Sequence, residues 1–306
     1  MADSKKRTKK PARKPSALTG QRFGAHISIA GGFANAFEAG VSAGCDCLQI
    51  FVKNQRQWKA APITDEQIAE YRQARERTGL FPVVAHATYL LNLASPDAAL
   101  RKKSARALVE ELNRCEALGV PLLVLHPGSH MGEGIDAGIK RIIASLDSVH
   151  RSTRGLASQV LLETTAGQGN SIGHEIEHLG RIIAGITEHE RLAVCLDTCH
   201  LFAAGYNLAD PAEYSRTVAE LKQHVGLDQI RCIHVNDSKG ACGSRLDRHQ
   251  HIGEGRLGRK GFANLVNDPR LAHAPKILET PKGEDDRGRD FDRINLGRLR
   301  RLIKKR

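Results

Sequence analysis

Residues 191–200 read RLAVCLDTCH. Leu192 to Leu196 form a short β-rich apolar run, and an acid closes it before the chain turns away. Such a run, too short for a core helix, reads as a strand. The same pattern recurs on both sides, in FGAHISI (23–29), DCLQIFV (46–52), FPVVAHA (81–87), PLLVLHP (121–127), SQVLLET (158–164), IRCIHVN (230–236) and PKILET (275–280), which makes eight runs. Between them lie amphipathic helical stretches such as 64–78, 97–118, 136–151, 174–186 and 211–225, with a last helix over about 290–304. His86, His126, Glu163, Asp197, His234 and Glu279 stand near the ends of the last six runs, at intervals of 34 to 45 residues. That interval is one βα unit. A doubly wound open sheet has the same alternation, but only a closed (β/α)8 TIM barrel brings every strand end around one mouth. The barrel is therefore the expected fold, in the α/β class.

The chain has 306 residues, 41% hydrophobic and only 4% aromatic, so the core must be aliphatic. No apolar run approaches the roughly 18 residues of a membrane span, and no leader pattern opens the chain, so a cytoplasmic protein with no membrane partner is expected. Seven cysteines without a CxxC pair, several inside strand runs, point to reduced and mostly buried thiols. The net charge of +12 favours a polyanionic partner, because each phosphate neutralised releases counterions. Seven Lys or Arg fall between Lys5 and Lys14, and six between Arg298 and Arg306. Residues 1–20 lack apolar periodicity and are read as a disordered basic tail, with the barrel domain spanning 21–306.

One histidine at a strand end is ordinarily a cap. Six imidazoles and carboxylates in comparable places are better explained by a shared polynuclear metal site, with ligands that suit Zn, Mn or Fe rather than Ca. In DTCH, Asp197 and His200 stand where a strand turns into its loop, with Cys199 as a rival ligand. In SRLDRHQH, Asp247 and His249 are separated by one residue and so point the same way from an extended loop spanning about 237–257. The run KNQRQW (53–58) combines charge, amides and an aromatic just after the second strand, and its plainer reading is a polar loop with a packed Trp58. Tyr89 and Leu90 read equally as packing residues that open a helix. His26 reads as a neighbour of the site, while His130, His178, His189, His251 and His273 are assigned to surface or capping roles.

The wording of the motifs resembles the endonuclease IV family of abasic-site endonucleases over about residues 22–281. The matching stretches are GAHISIAGG, FVKNQRQW, HATYLLNLAS, LHPGSH, LETTAGQG, VCLDTCH, AAGY, HVNDSK, GSRLDRH, IGEG and LET. The resemblance implies three zinc ions per chain. His86, His126 and Glu163 would hold the first, Glu163, Asp197, His234 and Glu279 the second, and His200, Asp247 and His249 the third, which leaves Cys199 without a metal. It implies hydrolysis of the phosphodiester 5′ of an abasic site in double-stranded DNA, giving a 3′-hydroxyl and a 5′-deoxyribose phosphate, with Glu163 and Glu279 orienting the attacking water. Arg56, Tyr89 and Leu90 would enter the duplex at the lesion. The implied setting is a monomer in the bacterial cytoplasm, associated with the nucleoid.

Two other readings compete. A xylose-isomerase-like sugar isomerase or epimerase would share the barrel and the ligand types, although it needs fewer ligands than the nine offered here. A DNA-binding protein with structural zinc would favour closed, cysteine-rich shells instead.

Overall fold

The computed structural model describes residues 20–304. In chain order the strands and helices are β1 (Phe23–His26), α1 (Phe33–Ala43), β2 (Cys47–Phe51), α2 (Asp65–Thr78), β3 (Val83–His86), α3 (Ala98–Leu118), β4 (Leu122–Leu125), α4 (Ile135–Ser152) and β5 (Gln159–Glu163). There follow α5 (Ile176–Gly185), β6 (Leu192–Asp197), α6 (Thr198–Ala204), α7 (Pro211–His224), β7 (Ile230–His234), β8 (Asp237–Ser238), β9 (His249–Gln250), α8 (Gly258–Val266), β10 (Lys276–Leu278) and α9 (Phe291–Leu302). All strands but β8 and β9 form one closed parallel barrel, in which β1 pairs with both β2 and β10. The expected (β/α)8 barrel is thus the fold. The segment read as a disordered tail lies, apart from Gly20, outside the described residues.

Helix starts follow local chemistry. Thr64 and Gln67 form a reciprocal capping box at α2, Asp97 caps α3, and Asp210 caps α7 just before Pro211. The segment after β6 differs from the loop expected there. Asp197 ends the strand and also caps α6, its carboxylate accepting the His200 N–H at 3.0 Å. In the long segment expected between 237 and 257, β8 and β9 pair antiparallel, with Ser238 opposite His249.

Two apolar layers sandwich the barrel wall. The larger packs the outer strand faces, such as Phe23, Ala25, Leu123, Leu162 and Val194, against the helices. The smaller fills the interior with Cys47, Val84, Leu122, Val124, Leu161, Ala193, Cys195, Cys232 and Ile277. Because side chains alternate across a strand, the residue two beyond an interior one also faces inward. From Gly24, Cys47, Val84, Val124, Leu161, Cys195, Cys232 and Ile277 this step leads to His26, Gln49, His86, His126, Glu163, Asp197, His234 and Glu279. A polar storey therefore stands on an apolar one. At Gly24 the wall leaves no room for a side chain, since a Cβ would collide with the Cys47 carbonyl.

Cysteines behave as expected: all seven are free, and only Cys242 is exposed.

Candidate metal centre

Glu163 is the hub of the polar storey. Its Oε2 lies 2.9 Å from His126 Nε2 and 3.1 Å from His86 Nε2, and its Oε1 lies 2.9 Å from His234 Nδ1 and 3.4 Å from His200 Nδ1. Around His234 Nδ1 the other carboxylates close in, with Glu279 Oε2 at 3.2 Å and Asp197 Oδ2 at 3.8 Å. A third group forms beside these, with Asp247 Oδ1 at 3.2 Å from His200 Nε2 and 3.4 Å from His249 Nε2. All nine residues expected as ligands are thus brought together in the three expected groups. Asp197 lies between two of them, its Oδ2 also 3.7 Å from His249 Nε2.

The hydrogen bonds fix which ring nitrogens face inward. A carbonyl oxygen only accepts, so each imidazole nitrogen against one must carry the proton. His86 Nδ1 donates to the Ala87 carbonyl at 2.7 Å, His200 Nδ1 to Thr164 at 2.8 Å, and His249 Nδ1 to Glu279 at 3.1 Å. The opposite Nε2 lone pairs are left aimed at carboxylates, those of His200 and His249 lying buried 3.2 and 3.4 Å from Asp247 Oδ1. Lone pairs of this kind, held by carbonyls on the far side, suit a metal ion.

Electrostatics points the same way. Burial would raise the Glu163 carboxyl, but His126, His234 and His200 carry it well below the ordinary carboxylate range. Glu279 is lowered likewise, burial being outweighed by His234, His26 and His86. Burial opposes charge on His234 and His200, yet their acidic neighbours raise both well above the usual imidazole value. The cluster therefore attracts positive charge, which protons or divalent cations can supply. Cys199 is a poor competitor: burial pushes its thiol up to about 12, and its Sγ donates to the Arg248 carbonyl at 3.7 Å. A ligand must be a thiolate.

Several contributors carry no signal of their own in the sequence. Gln49 donates from Nε2 to Glu279 Oε1 at 2.6 Å and accepts from His234 Nε2 at 2.8 Å, which keeps the His234 Nδ1 lone pair facing the carboxylates. Asn236 donates to Asp197 Oδ2 at 2.7 Å and accepts the Glu279 N–H at 2.7 Å, while Thr164 Oγ1 accepts the Asp197 N–H at 2.8 Å. Of these, Gln49 could have been found through the alternation in DCLQIFV, where it falls on the face of Cys47. His26 is a neighbour of the cluster as expected, with Nδ1 3.2 Å from Glu279 Oε1. His178 departs from its expected surface or capping role: it is buried, and Nδ1 accepts the Gly173 N–H at 3.4 Å.

The three loop residues lie at the mouth. Arg56 is exposed, and Tyr89 and Leu90 occupy a turn rather than a helix. Tyr89 is 56% exposed and rests its ring 5.2 Å from that of His86. It separates two clefts. One, of about 410 Å³, reaches His126, His200 and Asp247, and the other, of about 880 Å³, reaches His26, Phe51 and Glu279. Trp58 packs against the core in keeping with its plainer reading, and Lys53 is buried rather than offered to solvent.

Known proteins match this architecture. The model of a family described as xylose isomerase-like TIM barrel matches residues 37–296. The chain is 50% identical over 283 residues to a probable endonuclease 4 of Chloroflexus aggregans, covering 92% of this chain and 98% of that one. The chain belongs to the endonuclease IV family. A probable endonuclease 4 of Geobacter sulfurreducens is 47% identical over 284 residues, with 93% and 95% covered. The crystal structure of endonuclease IV from Thermus thermophilus superposes with a TM-score of 0.80 at 35% identity, covering 92% and 98% of the two chains. A D-tagatose 3-epimerase-like protein reaches a TM-score of 0.69 at 18% identity, a likeness of fold alone. As a member of this endonuclease family, the protein is a DNA-cleaving hydrolase. Among the described residues no helix is long and apolar enough to cross a membrane.

Proposed function

We propose that the protein hydrolyses the phosphodiester on the 5′ side of an abasic site in duplex DNA, leaving a 3′-hydroxyl and a 5′-deoxyribose phosphate. The observation that carries this reading is the convergence of nine imidazole and carboxylate side chains beneath an exposed Tyr89 that stands between two clefts. Three zinc ions fit the donor set. His86, His126 and Glu163 would hold one, Glu163, Asp197, His234 and Glu279 a second, and His200, Asp247 and His249 a third. Zinc bound there would lower the pKa of water toward neutrality and offset charge building on the phosphate.

The protein's own groups supply the rest. Glu163 directs its two oxygens toward different histidine pairs, so one carboxylate sets the spacing of two groups of ligands. Glu279, held by Gln49 and His26, keeps Oε2 toward the centre and with Glu163 orients the attacking water. Arg56, Tyr89 and Leu90 enter the duplex, which costs least where a missing base has already removed stacking. The net charge of +12 favours a phosphate backbone as partner. Residues 21–306 form the catalytic unit.

Cleavage of a defined abasic duplex with end-group analysis tests bond, substrate and metal together. The expected result is 5′ incision that a zinc chelator abolishes, zinc restores and Glu163→Ala eliminates. An inert abasic duplex beside epimerisation of a free ketose would overturn the reading in favour of the sugar-isomerase alternative.

A further inference from the structure

Outside the metal cluster, Lys53 at the start of the loop after β2 and Glu111 within α3 form a buried pair of charges. Their side chains are 2% and 1% exposed, with Nζ 3.4 Å from Oε1. Lys53 Nζ also donates to the Trp58 carbonyl at 3.0 Å, so it folds the 53–58 loop back on itself with Arg56 inside the closed segment. Glu111 accepts the Thr88 N–H at 3.2 Å, one residue before Tyr89. The Thr88 hydroxyl in turn donates to the Gln55 carbonyl, so the two loops are tied to each other as well as to the helix. Arg114, one turn beyond Glu111, donates to the Val52 and Ala61 carbonyls at 2.7 Å each and pins both ends of the first loop.

A buried charge pair is a poor source of stability, because desolvation consumes most of the attraction and a well-packed apolar pair does as well. What charges add is direction: fixed donors and acceptors that admit one arrangement of the groups they touch. We propose that Lys53 and Glu111 are positioning residues for lesion recognition, setting Arg56 and the Tyr89–Leu90 turn at one mutual separation so that both enter the duplex as a unit. The inference rests on the reading of Arg56, Tyr89 and Leu90 as the residues that probe DNA. It assigns the pair no part in hydrolysis.

The test compares wild type, K53M/E111L, E111Q and R56A, and the triple variant that adds R56A to the apolar pair. Metal content and thermal unfolding report integrity. Affinity for a duplex bearing a tetrahydrofuran abasic analogue, divided by affinity for the intact duplex, reports discrimination, and single-turnover rates against enzyme concentration separate half-saturation from the saturated rate. K53M/E111L is expected to keep its metal and a saturated rate within about twofold of wild type while discrimination falls about tenfold. R56A should then cost much less in that background than in wild type, since groups acting as a unit are lost together. E111Q keeps an oxygen for Thr88 and should fall between wild type and the apolar pair, which keeps the test sound if the double variant folds poorly. Full discrimination in K53M/E111L, or losses that simply add, would make the pair structural and overturn the proposal. If R56A alone leaves discrimination unchanged, the recognition reading fails and the positioning role falls with it.

Discussion

Replacing Gln49 by Leu removes its side-chain hydrogen bonds to Glu279, His26 and His234 and leaves the volume of the side chain nearly unchanged. The bond to Glu279 Oε1 is 2.6 Å long and that from His234 Nε2 is 2.8 Å. Bonds to charged groups are worth about 1.5–3 kcal/mol each, so a few kcal/mol of local order is lost. The specific consequence concerns His234. With no oxygen to receive Nε2–H, its proton can move to Nδ1, the atom that faces Glu163 and Glu279. A ring in that tautomer has no lone pair for a metal. Loss of such an orienting partner lowers metal affinity or activity by about 10–100-fold, or about 1.4–2.7 kcal/mol. Titration of Q49L apoprotein against a competing zinc chelator should show one ion weakened by this amount, and the saturated single-turnover rate should fall at limiting zinc. Unchanged zinc affinity together with a wild-type rate would refute the assignment of Gln49 as the group that fixes His234.

Three further outcomes are expected. His200→Ala should empty the ion of its own group preferentially, read as a drop of about one zinc in metal analysis, because His249 and Asp247 alone supply too few ligands. Deleting residues 1–16, which carry seven Lys or Arg, should weaken binding to undamaged duplex and lower the slope of log affinity against log salt by about 0.9 per lost phosphate contact, with little change in saturated cleavage. Burial raises the Glu111 carboxyl from 4.5 to about 7, although Lys53, the Thr88 N–H and His86 all pull it down. An acid raised in the folded state contributes stability that is complete below 4.5 and lost as pH rises through about 7, so chemical denaturation across that window should cost wild type about 3 kcal/mol relative to K53M/E111L.

The barrel and its ligands were legible because one rule governs both. Apolar runs ending in His86, His126, Glu163, Asp197, His234 or Glu279 report the strand and its inward face together, and closure then gathers the ends. Gln49 escaped because an amide in an apolar strand carries no metal chemistry of its own: the alternation places it on the inward face, and its contacts reveal its use. Asn236 and Thr164 are hidden for the same reason: they act on Asp197 and Glu279 across strands, and sequence distance says nothing about that. The turn at Tyr89 is ambiguous locally. It is held open by Glu111 from a helix more than twenty residues away, a tertiary contact that overrides local preference. Lys53 reads like its polar neighbours in the sequence, although burial sets it apart from them.

The apolar storey from Cys47 to Ile277 has a consequence for the order of events. It fills the barrel from below, so the polar storey opens toward the face where Tyr89 projects between the two clefts. On the proposed function, ions and DNA approach by that same face. On that reading a bound duplex would cover both clefts, so an apoprotein–DNA complex would take up metal more slowly than free apoprotein does.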